Sequence, residues 1–124
     1  MDIKRQIELD CEKNVNEERC GFVVQNEDYF DLIYCENRAE DPVNNFYIPA
    51  KDFLHIKTNH KIVGVYHSHI KGTEEPSEFD KKTADLICYP FIIYAIENNK
   101  FNIHIPEMSD ADPDYLEKLK KELL

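Results

Sequence analysis

The sequence predicts one α/β domain in which helices flank a central β-sheet. Three observations point there. The 124 residues, 42% of them hydrophobic, form one composition regime and suit a single core, residues 1–124, with no linker. Segments of helical spacing alternate with short β-branched runs along the chain. No internal repeat or low-complexity stretch interrupts that alternation.

Ile3, Ile7 and Cys11 fall at i, i+4 and i+8, so residues 2–13 read as an amphipathic first helix. Cys20–Gln25 and Tyr29–Cys35 read as strands around an Asn26-Glu27-Asp28 turn, and Asn45–Ile48 is a candidate third strand. Pro49 opens a short helix over Ala50–Thr58, with Phe53, Leu54 and Lys57 spaced for one packed face. Lys61-Ile-Val-Gly-Val-Tyr66 is apolar enough for a buried strand. Ser77–Cys88 follows as a helix with Phe79, Thr83, Leu86 and Ile87 at helical spacing, closed by Pro90. Phe91–Ile96 and Phe101–Ile105 read as a hairpin joined at Glu97-Asn98-Asn99-Lys100. Asp112–Leu124 starts on an Asp-Pro cap and places Leu116, Leu119 and Leu123 on one face.

The formal net charge of −10 excludes nucleic-acid phosphate as a natural partner, because such binding rests on Lys and Arg contacts that release counterions. A basic peptide or protein tail suits this surface better. No apolar run approaches the ~18 residues of a membrane span, and the N-terminus lacks a signal-peptide core, so a cytoplasmic protein is expected. Cys11, Cys20, Cys35 and Cys88 lie far apart without a C-x-x-C pair, which fits free buried thiols better than a zinc ribbon.

The chemistry concentrates in His67-Ser-His-Ile-Lys-Gly-Thr-Glu-Glu-Pro-Ser-Glu-Phe-Asp80, an H-x-H-x(7)-S-x-x-D pattern. His67 and His69 leave the end of a strand two residues apart, and positions i and i+2 share a face. Both rings can therefore meet one ion, with Asp80 as third ligand from the start of the next helix. Two His and one Asp leave a fourth position open for water, the arrangement of hydrolytic zinc, which lowers the pKa of water and polarises the attacked carbonyl. Each piece also has a plainer reading. An H-x-H on a strand is often an ordinary half-buried pair, while Ser77 and Asp80 suit a helix N-cap and an acidic first turn. The plain readings do not explain the conjunction at fixed spacing.

His67, His69, Ser77 and Asp80 resemble the signature of the JAMM (MPN+) zinc metallopeptidases. In that family a glutamate upstream, ahead of a Cys-Gly or similar small pair on the first strand, takes the proton from the attacking water. Glu18, three residues before Gly21, is the matching position; Glu17 is its neighbour, and strand alternation lets only one of them face the metal. The resemblance covers roughly residues 1–106 and implies a curved mixed sheet between helices, related in layout to cytidine deaminases. The short prokaryotic and phage-tail type is the most similar, through Cys35-Glu-Asn-Arg-Ala-Glu-Asp-Pro42, Asn45-Phe46-Tyr47-Ile48 and Tyr89-Pro90-Phe91-Ile92-Ile93-Tyr94. One departure stands out: a proline commonly follows the second histidine, and here it is Ile70.

The resemblance implies one catalytic Zn2+ on His67, His69 and Asp80, with Glu18 as general base and Ser77 donating to the developing oxyanion. It also implies hydrolysis of a peptide or isopeptide bond at the C-terminus of a ubiquitin-like (β-grasp) protein, whose tail would lie along a sheet edge. The chain has no room for the cysteine peptidase that accompanies phage-tail members, and it lacks the insertions that position polyubiquitin. Two other classes remain open: an inactive MPN scaffold that binds partners, and a zinc hydrolase of another amide in phage tail assembly. A deaminase would need H-x-E and P-C-x-x-C, which do not occur. His55, His60 and His104 lack acidic or thiol partners at ligand spacing and read as surface or packing residues. Tyr66 and Ser68 alternate away from the metal, Ser68 with a backbone-supporting role. Glu74 and Glu75 read as solvated loop charge. Oligomeric state is not encoded in any pattern seen.

Overall fold

The apolar run before the two histidines becomes the middle strand of a five-stranded sheet. In a computed structural model describing residues 1–124, the elements run α1 (Ile3–Glu12), β1 (Cys20–Asn26), β2 (Tyr29–Cys35), α2 (Ala50–Asn59), β3 (Lys61–His69), α3 (Glu78–Ile87), β4 (Phe91–Ala95), β5 (Lys100–His104) and α4 (Pro113–Leu123). The strand order is β2-β1-β3-β4-β5. β3 and β4 pair parallel across the α3 connection, and every other neighbouring pair is antiparallel. The expected mixed sheet with flanking helices is therefore present. Against β1, the register of β3 slips so that Val23 pairs with Gly64 and Val24 with Ile62, leaving Val63 as a bulge.

Side-chain alternation gives the sheet two apolar faces. On one, Val23, Val63, Tyr66, Ile92 and Tyr94 pack against Ile3, Ile7 and Cys11 of α1 and Leu119 and Leu123 of α4. On the other, Cys20, Phe22, Val24, Ile62, Val65 and Phe91 meet Phe46 and Ala84, with α2 and α3 outside them. Local signals fix the helix ends. Asp2 accepts from Arg5 N at 2.8 Å, and Asp112 accepts from Asp114 N at 2.9 Å beside Pro113 in the first turn. α3 stops at Cys88, which takes the left-handed conformation at φ 62° and donates its N–H to Ala84 O.

Four expectations need correction. Asn45–Ile48 is not a strand: it pairs with no other strand and is held mainly by the Asn37 side chain, which donates to Asn45 O at 3.0 Å and accepts from Tyr47 N at 3.2 Å. A polar hub has replaced the ladder. α2 buries no residue fully, and Leu54, expected on its packed face, is 58% exposed. On α3, Phe79 and Leu86 are likewise 48% and 83% exposed, because Asp80 and Ala84 take the inward positions. Finally, β3 does not end before the histidines. It continues through His69, because parallel pairing with β4 runs on to His69 opposite Ala95.

Candidate metal centre

Both histidines lie within a paired strand: His67 has Cys20 of β1 on one side and Ile93 of β4 on the other, and His69 faces Ala95 of β4. Asp80 arrives at N3 of α3. Its position is set by a reciprocal capping box, in which Asp80 N donates to Ser77 Oγ and Ser77 N donates to Asp80 Oδ2, both at 3.0 Å. The result brings the three side chains together, with ligand atoms all within 4.8 Å of one another.

Their hydrogen bonding shows what the cluster is built to hold. His69 Nδ1 lies 2.8 Å from the Thr73 carbonyl, which can only accept, so Nδ1 carries the proton. Its Nε2 lone pair then confronts Asp80 Oδ2 at 3.0 Å. Two acceptors at that distance need a proton or a cation between them. His67 is fully buried, Nε2 sits 3.1 Å from Asp80 Oδ1, and neither of its ring nitrogens has a hydrogen-bond partner in good geometry. Orphaned buried nitrogens are costly unless something binds them, so the donor set fits a divalent metal ion, with the Thr73 carbonyl orienting one ligand. Burial lowers the His67 imidazole below its usual value despite Asp80. Burial alone would raise the Asp80 carboxyl, but the two imidazoles and Ser77 N–H outweigh it and hold it well below the carboxylate range.

Glu18 is 5% exposed and lies beside the ligands, whereas Glu17 is only half-buried. Burial, opposed by His69 and assisted by Asp80, pushes the Glu18 carboxyl up to about 8. Its backbone is tied on both sides: its N–H donates to Pro42 O at 2.7 Å, and its carbonyl accepts from Asn37 Nδ2 at 2.9 Å. Next to it, Arg19 N donates to Ser68 Oγ at 2.8 Å and Ser68 N donates to Arg19 O at 3.0 Å. Ser68 thus faces away from the metal and locks the register of Glu18 against the ligand strand. Tyr66 also faces away, its hydroxyl donating to buried Asp10 at 2.7 Å, and Arg19 completes that cluster with a 2.8 Å bond to Asp10.

His69 opens onto a cleft of about 280 Å³ whose lining also includes Glu18, Asn44, Lys71, Glu75 and Ser77. Ser77 is exposed there; its oxygen accepts from Asp80 N, and its hydroxyl proton remains free to donate. Glu75 borders the cleft, while Glu74 is turned to the β4–β5 hairpin, accepting from Asn98 at 3.1 Å and, through its carbonyl, from Asn102 at 3.2 Å. His55 and His60 are exposed and His104 half-buried, all outside the ligand cluster. The cysteines are free. Sequence reasoning missed Asn37, the Thr73 carbonyl, the Asp10–Arg19 pair and Phe46, whose ring stacks on His67 at 4.5 Å. The first two act through loop geometry that no periodicity signals; Asp10 carried one usable sign, a charge on the buried stripe of α1.

A mixed sheet with helices on both faces and an H-x-H/Asp cluster at one end defines a JAB/MPN-type domain. The chain belongs to the prokaryotic homologs of the JAB domain, whose family pattern it matches over residues 2–109. It is also 30% identical over 76 residues to the tail tip assembly protein K of Escherichia phage N15, a match covering 61% of this chain and 31% of that protein. The chain therefore spans about a third of that relative's length. Among solved structures, a JAB1/MPN domain protein from Archaeoglobus fulgidus superposes with a TM-score of 0.57 at 17% identity, covering 90% of this chain and all of that one. A solution structure from Desulfitobacterium hafniense gives 0.62 at 14% identity, covering 90% and 92% of the two chains. These likenesses show the fold. No helix is long and apolar enough to cross a membrane.

Proposed function

We propose that the chain is a zinc-dependent metallopeptidase that hydrolyses a peptide or isopeptide bond, with the C-terminal tail of a ubiquitin-like protein as substrate. The observation that carries this reading is the buried Glu18 carboxyl lining the same cleft as His69, one member of a complete His67–His69–Asp80 donor set. A zinc ion held by those three residues would supply Lewis-acid polarisation of the scissile carbonyl and acidify a water molecule.

The chain's own groups would do the rest. Glu18 would accept a proton from the attacking water and return it to the leaving amine, as a buried carboxylate beside the donor set is placed to do. Ser77 would donate its hydroxyl hydrogen to the carbonyl oxygen as negative charge develops there. Thr73 would keep His69 in the tautomer that presents Nε2. The free edge strand β2 ends at Cys35, opposite Cys20 and two residues from Glu18, and would allow an extended tail to add to the sheet.

The likeness to a phage tail tip assembly protein favours a second reading, in which the same site cuts another amide during tail assembly. Incubating the zinc-loaded protein with β-grasp fusions and with small amides separates the two. Cleavage of a fusion at the β-grasp C-terminus, abolished in Glu18→Gln, supports the first; activity on small amides alone supports the second.

A further inference from the structure

The apolar face of α3 that the sequence predicts as packed is open instead, and it borders a cavity of about 400 Å³, a volume within the range of pockets that take small ligands. Its floor is Phe22, Phe46 and Val65, all buried; its mouth is Tyr47, Phe79 and Leu86, all exposed. Only one of its lining residues, Thr83, is polar. A pocket this apolar with an open mouth selects hydrocarbon, not charge.

Its location relates it to the metal centre. The two walls of the metal cleft, segment 43–44 and Ser77, continue as Asn45, Phe46 and Tyr47 facing Phe79 in an adjoining hollow, and then as Tyr47 and Ile48 facing Phe79, Thr83 and Leu86 in the apolar pocket. A groove between segment 45–48 and the start of α3 thus leads from the pocket toward the chain segments that wall the metal cleft. Phe46 is the partition: its ring stacks on His67, packs against Phe91 and also lines the pocket. Val65 in the floor precedes His67 by two residues on β3, a separation of roughly 7 Å at the ~3.3 Å rise per strand residue. An extended peptide has nearly the same rise.

We infer that this pocket receives a large apolar side chain of the substrate, two or three residues from the scissile amide. This rests on the metallopeptidase reading for the word substrate, though the pocket's preference is measurable without turnover. The groove selects an extended segment carrying Phe, Leu, Tyr or Met at that position, and it disfavours Asp, Glu or Lys there.

The test has two arms. In the first, positional-scanning nonapeptide libraries are incubated with the zinc-loaded protein and the products sequenced by mass spectrometry. Enrichment of large apolar residues at the second or third position from the cut is expected. Leu86→Glu at the exposed rim, and Thr83→Phe filling the cavity without adding charge, should each reduce that enrichment about tenfold or more while leaving zinc content unchanged. In the second arm, fluorescein-labelled Gly-Ser nonapeptides with one central Phe or Asp are titrated against zinc-loaded Glu18→Gln. The Phe peptide should bind at least about tenfold tighter, a margin lost in the Glu18→Gln/Leu86→Glu double variant. Cleavage without apolar preference would overturn the pocket and leave the hydrolase reading standing. Phe-selective binding without cleavage of the nonapeptides would support the pocket, and the β-grasp fusions and small amides would then decide the hydrolase reading separately. The absence of both cleavage and selective binding overturns the inference, and so does a concentration-dependent dimer in sedimentation that Leu86→Glu dissolves, since the groove would then be covered by a second copy.

Discussion

Ser77 and Asp80 bond each other twice, backbone N–H to side-chain oxygen in both directions at 3.0 Å. One pair of residues therefore starts α3, brings the Asp80 carboxylate to His67 and His69, and leaves a hydroxyl facing the cleft. Structural and chemical duties coincide because a helix N-terminus is a rigid platform whose first-turn N–H groups also favour anionic ligands.

That coincidence can be separated by substitution. Ser77→Ala removes the cap and should cost about 1 kcal/mol of stability, read from the urea midpoint, and should lower turnover about a hundredfold through loss of the oxyanion donor. Ser77→Asp keeps a capping acceptor without the donor hydroxyl. It should recover most of the stability and none of the turnover; recovery of both would remove Ser77 from the chemistry.

Metal removal should be visible in the fold itself. Facing lone pairs at His69 and Asp80 and the orphaned nitrogens of His67 leave the metal-free site destabilising. Added zinc should raise Tm in a concentration-dependent way, by the equivalent of about 2.7 kcal/mol at a hundredfold excess over Kd, and EDTA should reverse it. Plasma emission analysis should find one zinc per chain, and His69→Ala should fall to near none. A Tm indifferent to zinc would contradict the assignment of this cluster as a metal site.

For Glu18, the expected signature is loss of chemistry without loss of metal. Glu18→Gln should retain stoichiometric zinc while kcat falls by about 10²–10⁴, the usual contribution of a positioned general base. Glu17→Gln, at the half-buried neighbouring position, should keep activity near that of the parent. If Glu17→Gln were the inactive variant, the register of β1 relative to the metal would be misassigned.

The same carboxyl should leave a mark on stability against pH in the metal-free protein. Its folded value near 8 exceeds the unfolded value of 4.5, so between those limits the folded chain binds more proton than the unfolded chain. Stability from this group is greatest at or below pH 4.5 and declines as pH rises toward 8, by up to a few kcal/mol. Asp80, held below its ordinary value, acts in the opposite sense and only on acidification below about 3.8. Urea midpoints in EDTA from pH 5 to 9 should therefore fall more steeply for the parent than for Glu18→Gln, and the difference between the two isolates Glu18 from His69, whose imidazole is lowered by burial but raised on balance by Asp80 and Thr73 and is present in both proteins. Parallel curves would mean that Glu18 is hydrated in the folded chain.

The legible parts of this molecule were those with period or spacing. Ile3, Ile7 and Cys11 repeat every turn, and α1 buries all three; Leu116, Leu119 and Leu123 do the same for α4. His67 and His69 share a strand face because alternation requires it. Periodicity is misleading where burial is incomplete: Phe79 and Leu86 have core-like spacing but line an open pocket, because Asp80 and Ala84 take the inward positions of α3 and no element covers its other apolar residues. Asn45–Ile48 has strand-like composition without a free ladder to join, and Asn37 supplies its hydrogen bonds from another part of the loop. Contacts such as Thr73 with His69, four residues apart through a turn, depend on backbone angles that residue identities hardly constrain.

Behind the metal face, Gly21 and Tyr66 form the contact most sensitive to a single methyl group. Tyr66 pairs with Gly21 in register, and its ring lies against the glycine as its hydroxyl reaches Asp10. A Cβ built on Gly21 would meet Ile33 O at 2.1 Å and Tyr66 Cε1 at 2.7 Å. The first atom is backbone of the neighbouring strand and cannot swing aside, so Gly21→Ala must separate β1 from β2 or displace Tyr66. Displacing Tyr66 takes one donor from the buried Asp10 carboxylate and leaves it Arg19, a loss that by itself costs about 1–3 kcal/mol. Overpacking adds about as much again, so Gly21→Ala should lower stability by roughly 3 kcal/mol or more in urea unfolding. Tyr66→Phe, which keeps the ring and removes only the hydroxyl, should lose about 1–2 kcal/mol. Because Glu18 is three residues from Gly21 on the same segment, Gly21→Ala should also depress kcat beyond its unfolded fraction, whereas Tyr66→Phe should not. Equal stabilities for Gly21→Ala and the parent would show that β1 and β2 sit farther apart than described.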